Sequence, residues 1–153
     1  MIHILEGIDG TGKTTFASKI IKYSTEGFTV SYFYFQKKAT PIETIRFWKN
    51  HFTSVLKELM YVYDVIIVDR SIISTVVYHD MNKKCLLDYF NLPKCNVIIN
   101  YFEKVHDYSK VYLDAVELRK KYDEVMSFLE QNGFTVNRDP VIQDVIPLKM
   151  YHR

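Results

Sequence analysis

The sequence lacks a strong charge of either sign: 20 Lys and Arg stand against 18 Asp and Glu, a formal net charge of +2. So small an excess does not announce a nucleic-acid-binding protein, although Lys and Arg are dense between Lys104 and Lys121. Cysteine is scarce. Cys85 and Cys95 have neither metal-ligand nor redox-pair spacing, which predicts a reduced, cytoplasmic protein without a disulfide framework. The amino terminus has no basic segment followed by an apolar signal core, and no apolar run approaches the roughly 20 residues that span a bilayer, so neither export nor a membrane partner is expected. With five glycines, four prolines, no repeats and no low-complexity tract, no linker divides the chain; one domain over residues 1–153 is the expectation. Material for a core is ample, since 48% of the residues are hydrophobic. The 12 Tyr and 10 Phe read as core filling more readily than as a stacking platform.

Strand-like apolar runs alternate with helical patterns. "MIHILE", "FTVSYFYF", "DVIIVD", "NVIINYF" and "FTV" are the strand candidates; helices are expected over Thr14–Tyr23, Ile42–Met60, Ile72–Tyr78 and Val111–Leu129. This rhythm predicts an α/β fold with a five-stranded, mainly parallel sheet and helices on both faces, three layers in all. "DVIIVD" and "NVIINYF" are nearly continuous apolar runs and should be central. In the last helix Val111, Ala115, Leu118, Tyr122, Val125 and Leu129 share one face, "RKKYDE" carries the solvated charges, and Gly133 marks the end.

The segment "HILEGIDGTGKTTF" concentrates the chemistry. Gly7, Gly12, Lys13 and Thr14 satisfy G-x-x-x-x-G-K-[S/T], between an apolar strand and a helical pattern, the context a phosphate-binding loop requires. Glycines permit the backbone angles and close approach by which successive N–H groups turn inward around a phosphate, and the helix adds free amides and the positive end of its dipole. Gly7, Gly10, Thr11, Gly12, Lys13, Thr14 and Thr15 are therefore the candidate nucleotide-binding residues. Lys13 would carry positive charge to the β- and γ-phosphates, and the Thr14 hydroxyl would ligate Mg²⁺. The loop by itself is shared by GTPases, ATPases and small-molecule kinases.

"DVIIVDR" narrows the field. Asp69, at the carboxyl end of its strand, can hold Mg²⁺ directly or through water, and Arg70 beside it can grip a second phosphate by paired hydrogen bonds. "EGIDGTGKTTF" resembles the phosphate loop of the thymidylate kinase family, E-G-x-D-G-x-G-K-[T/S]-T. "TPIETIR" (Thr40 to Arg46) is similar to that family's T-P-x-G-E-x-I-R, one residue shorter, and "DRSIISTVVYH" resembles its D-R-Y-x-x-S-x-x-A-Y-Q block through Asp69, Arg70, Ser74 and Tyr78. "ELRKKYDEV" and "NRDP" fit loosely.

The resemblance implies a phosphate-loop NTPase fold, Mg-ATP as donor and a deoxynucleoside monophosphate as acceptor, with dimers common among members. It implies Lys13, Arg70, Asp9 and Asp69 as catalytic residues, Thr14 and Asp69 as metal ligands, and Asp9, Arg70, Ser74, Thr75 and Tyr78 around the acceptor. Asp9 would sit near the 3′-hydroxyl and the metal, Arg70 on the acceptor phosphate, and Tyr78 against the deoxyribose, disfavouring a 2′-hydroxyl. Ser74 and Thr75 would lie near base or sugar.

The chain also departs from that pattern. "FQKKATP" replaces the family's R-E-P-G-G-T-P, so an acidic contact becomes neutral or basic at Phe35, Gln36 and Lys37. The helix that should read the base offers Phe47, Trp48, Asn50, His51 and Phe52. Only "EKVHDYSK" stands where an arginine-bearing lid is usual, leaving a minimal lid of Lys104, His106 or Lys110, a substitute in Arg119, or an open site. An open site would suit a nucleotide or modified base within DNA, with the Lys37/Lys38, Lys83/Lys84 and Lys120/Lys121 pairs on backbone phosphates. A deoxynucleoside kinase is a second alternative, weakened by the missing acid after the second strand, and a non-catalytic ATP-binding module a third.

Overall fold

The computed structural model describes residues 1–22, 28–105 and 115–146. Strand β1 (Ile2–Glu6) and strand β3 (Val65–Asp69) are buried at every position, as their unbroken apolar runs require. Strand β4 (Val97–Tyr101) is nearly as covered, whereas β2 (Val30–Tyr34) and β5 (Thr135–Arg138) are partly exposed edges. The order is β2-β3-β1-β4-β5 and every pairing is parallel. Both expected central strands flank β1.

Alternation along the strands supplies two cores. On one face Ile2, Ile4, Ile66, Val68 and Ile99 pack against α4 (Ile72–Tyr78) and α6 (Ala115–Gln131). On the other, Leu5, Val65 and Ile67 meet Phe16, Ala17 and Ile20 of α1 (Lys13–Lys22). Each fully buried Ile or Leu contributes about 2 kcal/mol. The expected three layers are therefore present. Tyr122, Val125 and Leu129 of α6 are buried as their spacing predicts, while Val111 lies outside the described residues. Beyond α6 Gly133 takes φ 88°, and Phe134 N returns to Leu129 O at 3.0 Å.

The expected long helix Ile42–Met60 is broken in phase. It begins as α2 (Pro41–Phe47), with Thr40 Oγ1 accepting from Glu43 N and Pro41 at the first position. A π turn over Trp48–Phe52 follows, then α3 (Thr53–Leu59). The cause is aromatic packing: Trp48 is fully buried, donates Nε1–H to Phe90 O at 2.7 Å, and stacks on Phe52, while both rings meet Phe35 edge-on. Helix α5 (Cys85–Tyr89) and 3₁₀ turns at Lys94–Asn96 and Ile142–Asp144 have no counterpart in the periodicity analysis. Among the described residues no helix is long and apolar enough to cross a membrane.

A polar pair interrupts the second core. His3 and Asn100 are buried, with Asn100 Nδ2 3.2 Å from His3 Nδ1, and Asn100 Oδ1 has no partner among the described residues. Burial, then the terminal ammonium, push His3 down to about 4, against an opposing pull from Asp144. A depressed value means that neutral His3 supports the fold fully above its ordinary pKa and that this support is lost as pH falls towards about 4. Urea melts should show a stability loss of about 3 kcal/mol from this group between neutral pH and pH 4. In His3→Leu the slope over that window should flatten by about one proton; an unchanged slope would contradict the assignment.

Candidate active site

The carboxyl ends of β1 and β3 deliver the site. After Glu6 the chain turns sharply at Gly7, φ 145°, where an added Cβ would stand 2.6 Å from the Phe102 carbonyl oxygen; only glycine fits there. Within the loop Thr11 Oγ1 donates to Ile8 O at 2.7 Å. Gly12 O accepts the first helical bond, from Phe16 N at 2.9 Å, so the amides of Lys13, Thr14 and Thr15 precede the helical ladder at the positive end of α1. Thr14 and Thr15 are exposed there.

Lys13 is buried. Its Nζ donates to Ile8 O (2.8 Å), Gly7 O (3.1 Å) and Thr11 Oγ1 (3.3 Å). Burial, and secondarily the Arg70 guanidinium, lower the ammonium to about 8. The loop thus encloses a cation whose direct hydrogen-bond partners are all neutral oxygens, with the carboxylates of Glu6, Asp69 and Asp9 acting only from a distance, and an arriving phosphate oxygen would supply a contact charge. This is the observation by which the loop fits a polyphosphate.

Asp69 closes β3, and its Oδ2 accepts from Tyr32 OH on the neighbouring strand at 2.8 Å. Burial and this bond raise the Tyr32 phenol well above its ordinary value, keeping it a donor. No group of three or more His, Cys, Asp or Glu suited to a metal exists among the described residues. A hydroxyl at Thr14 and a carboxylate at Asp69 suit Mg²⁺ completed by phosphate oxygens and water, not an ion caged by protein.

Arg70 follows in the left-handed region, φ 68°, a strained conformation for a long side chain. Three elements hold its guanidinium. Nη2 donates to Asp9 Oδ1 (2.8 Å), Nη1 to Ser74 Oγ (3.0 Å) and Tyr122 OH (3.3 Å), and Cζ lies 5.5 Å from the Tyr78 ring centroid. Behind them sits Glu6, fully buried on the same face of β1 as Ile2 and Ile4. Its Oε1 accepts from Ser71 Oγ (2.8 Å) and Ser74 N (3.2 Å), its Oε2 from Ser74 Oγ (2.7 Å) and Tyr122 OH (2.8 Å).

Asp9, Arg70, Ser74, Thr75 and Tyr78, five of the residues expected around an acceptor, line one cleft of about 660 Å³. Its opposite wall is Tyr34–Pro41 with Thr44, and His79 joins at the end of α4. Lys13 is not on the lining, because its ammonium faces the loop carbonyls. The base-reading candidates of Phe47–Phe52 do not line the cleft either: Trp48 is core, and Phe47 stacks on Phe35 beneath the Lys38 ammonium. Arg119 is exposed on α6 and away from the lining, Lys104 is exposed, and His106 and Lys110 lie outside the described residues. Asp139 of "NRDP" is a turn residue whose Oδ1 accepts from Glu103 N and Lys104 N. Glu6, Ser71, Tyr32 and Tyr122 escaped the sequence analysis. The available signals were for Glu6 alone: an acidic residue ending an otherwise apolar strand, and the leading Glu of the family's E-G-x-D-G pattern.

No protein-family model matches the chain. It is 38% identical over 149 residues to the "Putative thymidylate kinase" of Acidianus bottle-shaped virus (isolate Italy/Pozzuoli), covering 89% of this chain and 92% of that protein. The chain belongs to the thymidylate kinase family. Among solved structures, the thymidylate kinase from Ehrlichia chaffeensis superposes with a TM-score of 0.60 at 19% identity, over 90% of this chain and 91% of that one, a likeness of fold. The expected thymidylate kinase architecture and phosphate-loop topology thus hold for the five-stranded parallel sheet described above.

The state of Lys13 in this thymidylate kinase homologue makes a measurable prediction. Near pH 8 about half of the free protein carries a neutral Lys13, and a bound polyphosphate restores the charge. Calorimetric titration with Mg-ATP at pH 8 in buffers of different ionisation enthalpy should report uptake of about half a proton, with affinity falling as pH rises above 8. Lys13→Arg should abolish the uptake.

Proposed function

We propose that the chain transfers the γ-phosphoryl group of Mg-ATP to a deoxynucleoside monophosphate of the pyrimidine kind, dTMP or a close relative. One observation carries this reading: Arg70, the cation able to grip a second phosphate, opens onto the cleft beside Asp9, a residue of the phosphate loop itself. Two anion sites share one loop. A hydrolase needs no second grip, and a neutral nucleoside gives a guanidinium little to hold.

The protein's own work is to position and neutralise. Gly7–Thr15 surround the donor phosphates with amides, and Lys13 leaves its carbonyl partners for the β- and γ-phosphates. Arg70 holds the acceptor phosphate in line with the γ-phosphorus, and Asp9, ion-paired to it, lies between loop and acceptor. Mg²⁺, held by Thr14 and by Asp69 directly or through water, would neutralise charge developing on the transferred group. Tyr78, its ring centroid 5.5 Å from Arg70 Cζ, packs on the acceptor sugar, with Thr75 and Ser74 on the same wall.

The alternatives fit less well. Asp9 is the one carboxylate on the described lining, and it is committed to Arg70, which leaves a deoxynucleoside kinase no free base. Of the lysine pairs offered to DNA, Lys38 lies over Phe47, Lys83 over Phe128, and Lys121 is paired with Asp80. The test is ADP production with dTMP, dUMP, dCMP, thymidine and an oligonucleotide as acceptors. Transfer is expected with a pyrimidine monophosphate; transfer confined to the nucleoside or the oligonucleotide would overturn the reading. Lys13→Ala and Arg70→Ala should each lower kcat/KM about a hundredfold or more while circular dichroism stays unchanged.

A further inference from the structure

Glu6 touches neither the cleft nor the loop interior, yet its carboxylate is the most heavily hydrogen-bonded group near the site. Resting on the kinase reading above, we propose that Glu6 is the positioning residue for Arg70: it fixes the proton direction of two hydroxyls, Ser74 and Tyr122, so that both present lone pairs to the guanidinium. The residue thereby sets the geometry of the acceptor-phosphate grip without touching substrate.

A hydroxyl has one proton to give, a carboxylate only accepts, and a guanidinium only donates. Glu6 Oε2 lies 2.7 Å from Ser74 Oγ and 2.8 Å from Tyr122 OH, so both protons are committed to it. What remains on each oxygen are lone pairs, and Arg70 Nη1 stands 3.0 Å and 3.3 Å away to receive them. The two oxygens are 3.2 Å apart, close enough that a single misdirected proton would disturb both contacts. Burial, reinforced by Glu6, holds the Tyr122 phenol far above its ordinary value, so its proton stays in place. Ser71 Oγ and Ser74 N occupy the other carboxylate oxygen and lock its plane to the start of α4. Stacking of Tyr122 on Tyr101, centroids 5.6 Å apart, keeps the ring from turning away.

The grip is consequently asymmetric. Nη1 is held from the protein interior, while Nη2 is held by Asp9, whose side chain is 46% exposed. An arriving phosphate competes on the Nη2 side alone, and the Nη1 side supplies the fixed axis. Rigid support of this kind also explains how Arg70 keeps a left-handed backbone that its side chain disfavours.

Glu6→Gln keeps the shape but places an amide donor against one hydroxyl, whose proton must then turn to the other hydroxyl or to Nη1, competing with the guanidinium in either case. Tyr122→Phe removes one acceptor and keeps the ring stack. Each should raise KM for dTMP about tenfold, the loss of one hydrogen bond to a charged group, with KM for Mg-ATP within about twofold of the original. In an Arg70→Lys background neither change should add further loss, since the fork being positioned is gone. In the ligand-free protein, nitrogen NMR of the Arg70 guanidinium should show separate, slowly exchanging Nη signals that merge in both variants. Equal increases in both KM values with unmerged Arg70 signals would make Glu6 merely structural and overturn the proposal. Tyr122→Phe and the NMR comparison decide the matter if Glu6→Gln does not fold. If the unaltered protein phosphorylates no nucleoside monophosphate, the kinase reading fails, and the Arg70 signals still judge the positioning claim.

Discussion

The structure depends on a buried strand that ends in charge. β1 is hydrogen-bonded to β3 and β4 along its length and covered on both faces, so its final residue has no freedom to seek water. A carboxylate at that point must find donors inside the protein, and four converge on Glu6 from α4 and α6. The next residue must be glycine because the Phe102 carbonyl crosses it at contact distance. Helix placement and loop path are thus two answers to one demand, made where β1 stops.

Opposed charges then organise the space beyond the sheet. Lys13 is buried and Arg70 partly buried, the two raise each other's cost, and neither has a direct ion pair deep in the protein; Lys13 rests on carbonyls and Arg70 on hydroxyls, with Asp9 on its outer side. The pull towards a donor phosphate is stored as the incomplete solvation of Lys13, whereas Arg70, despite its burial, is already favoured as a cation by Tyr122, Glu6, Tyr78 and Asp9 and offers a second phosphate a pre-aligned fork.

Much of this was legible in the sequence, for reasons that can be named. Unbroken apolar runs give buried parallel strands, and the spacing from Ala115 to Leu129 gives the face of α6, because burial acts on every turn of a long element. The phosphate loop and Asp69–Arg70 are local in sequence and carry their chemistry in residue type. Glu6 and Tyr122 were illegible because their roles rest on a contact 116 residues apart, and because Tyr122 satisfies a core position equally well. The base-reading candidates at Phe47–Phe52 lie off the cleft for a different reason: aromatic residues suit a nucleobase and a core alike, and Phe47, Trp48 and Phe52 pack around Phe35.

The π turn at Trp48–Phe52 sets rotational phase. Thr53 N reaches back five residues to Trp48 O, so the helix carries one residue more than its pitch requires, and the Lys49 carbonyl is taken up by Thr53 Oγ1 and Asn91 Nδ2. Everything downstream is turned by roughly 100° relative to an unbroken helix, which brings the fully buried Thr53 to within about 20° of the face that carries Ile45. Ile45 of α2, Trp48 of the π turn and Leu56 of α3 consequently all serve one core. The extra residue works as a coupling that ties the wall around Thr40–Thr44 to the hydrophobic seam beneath it.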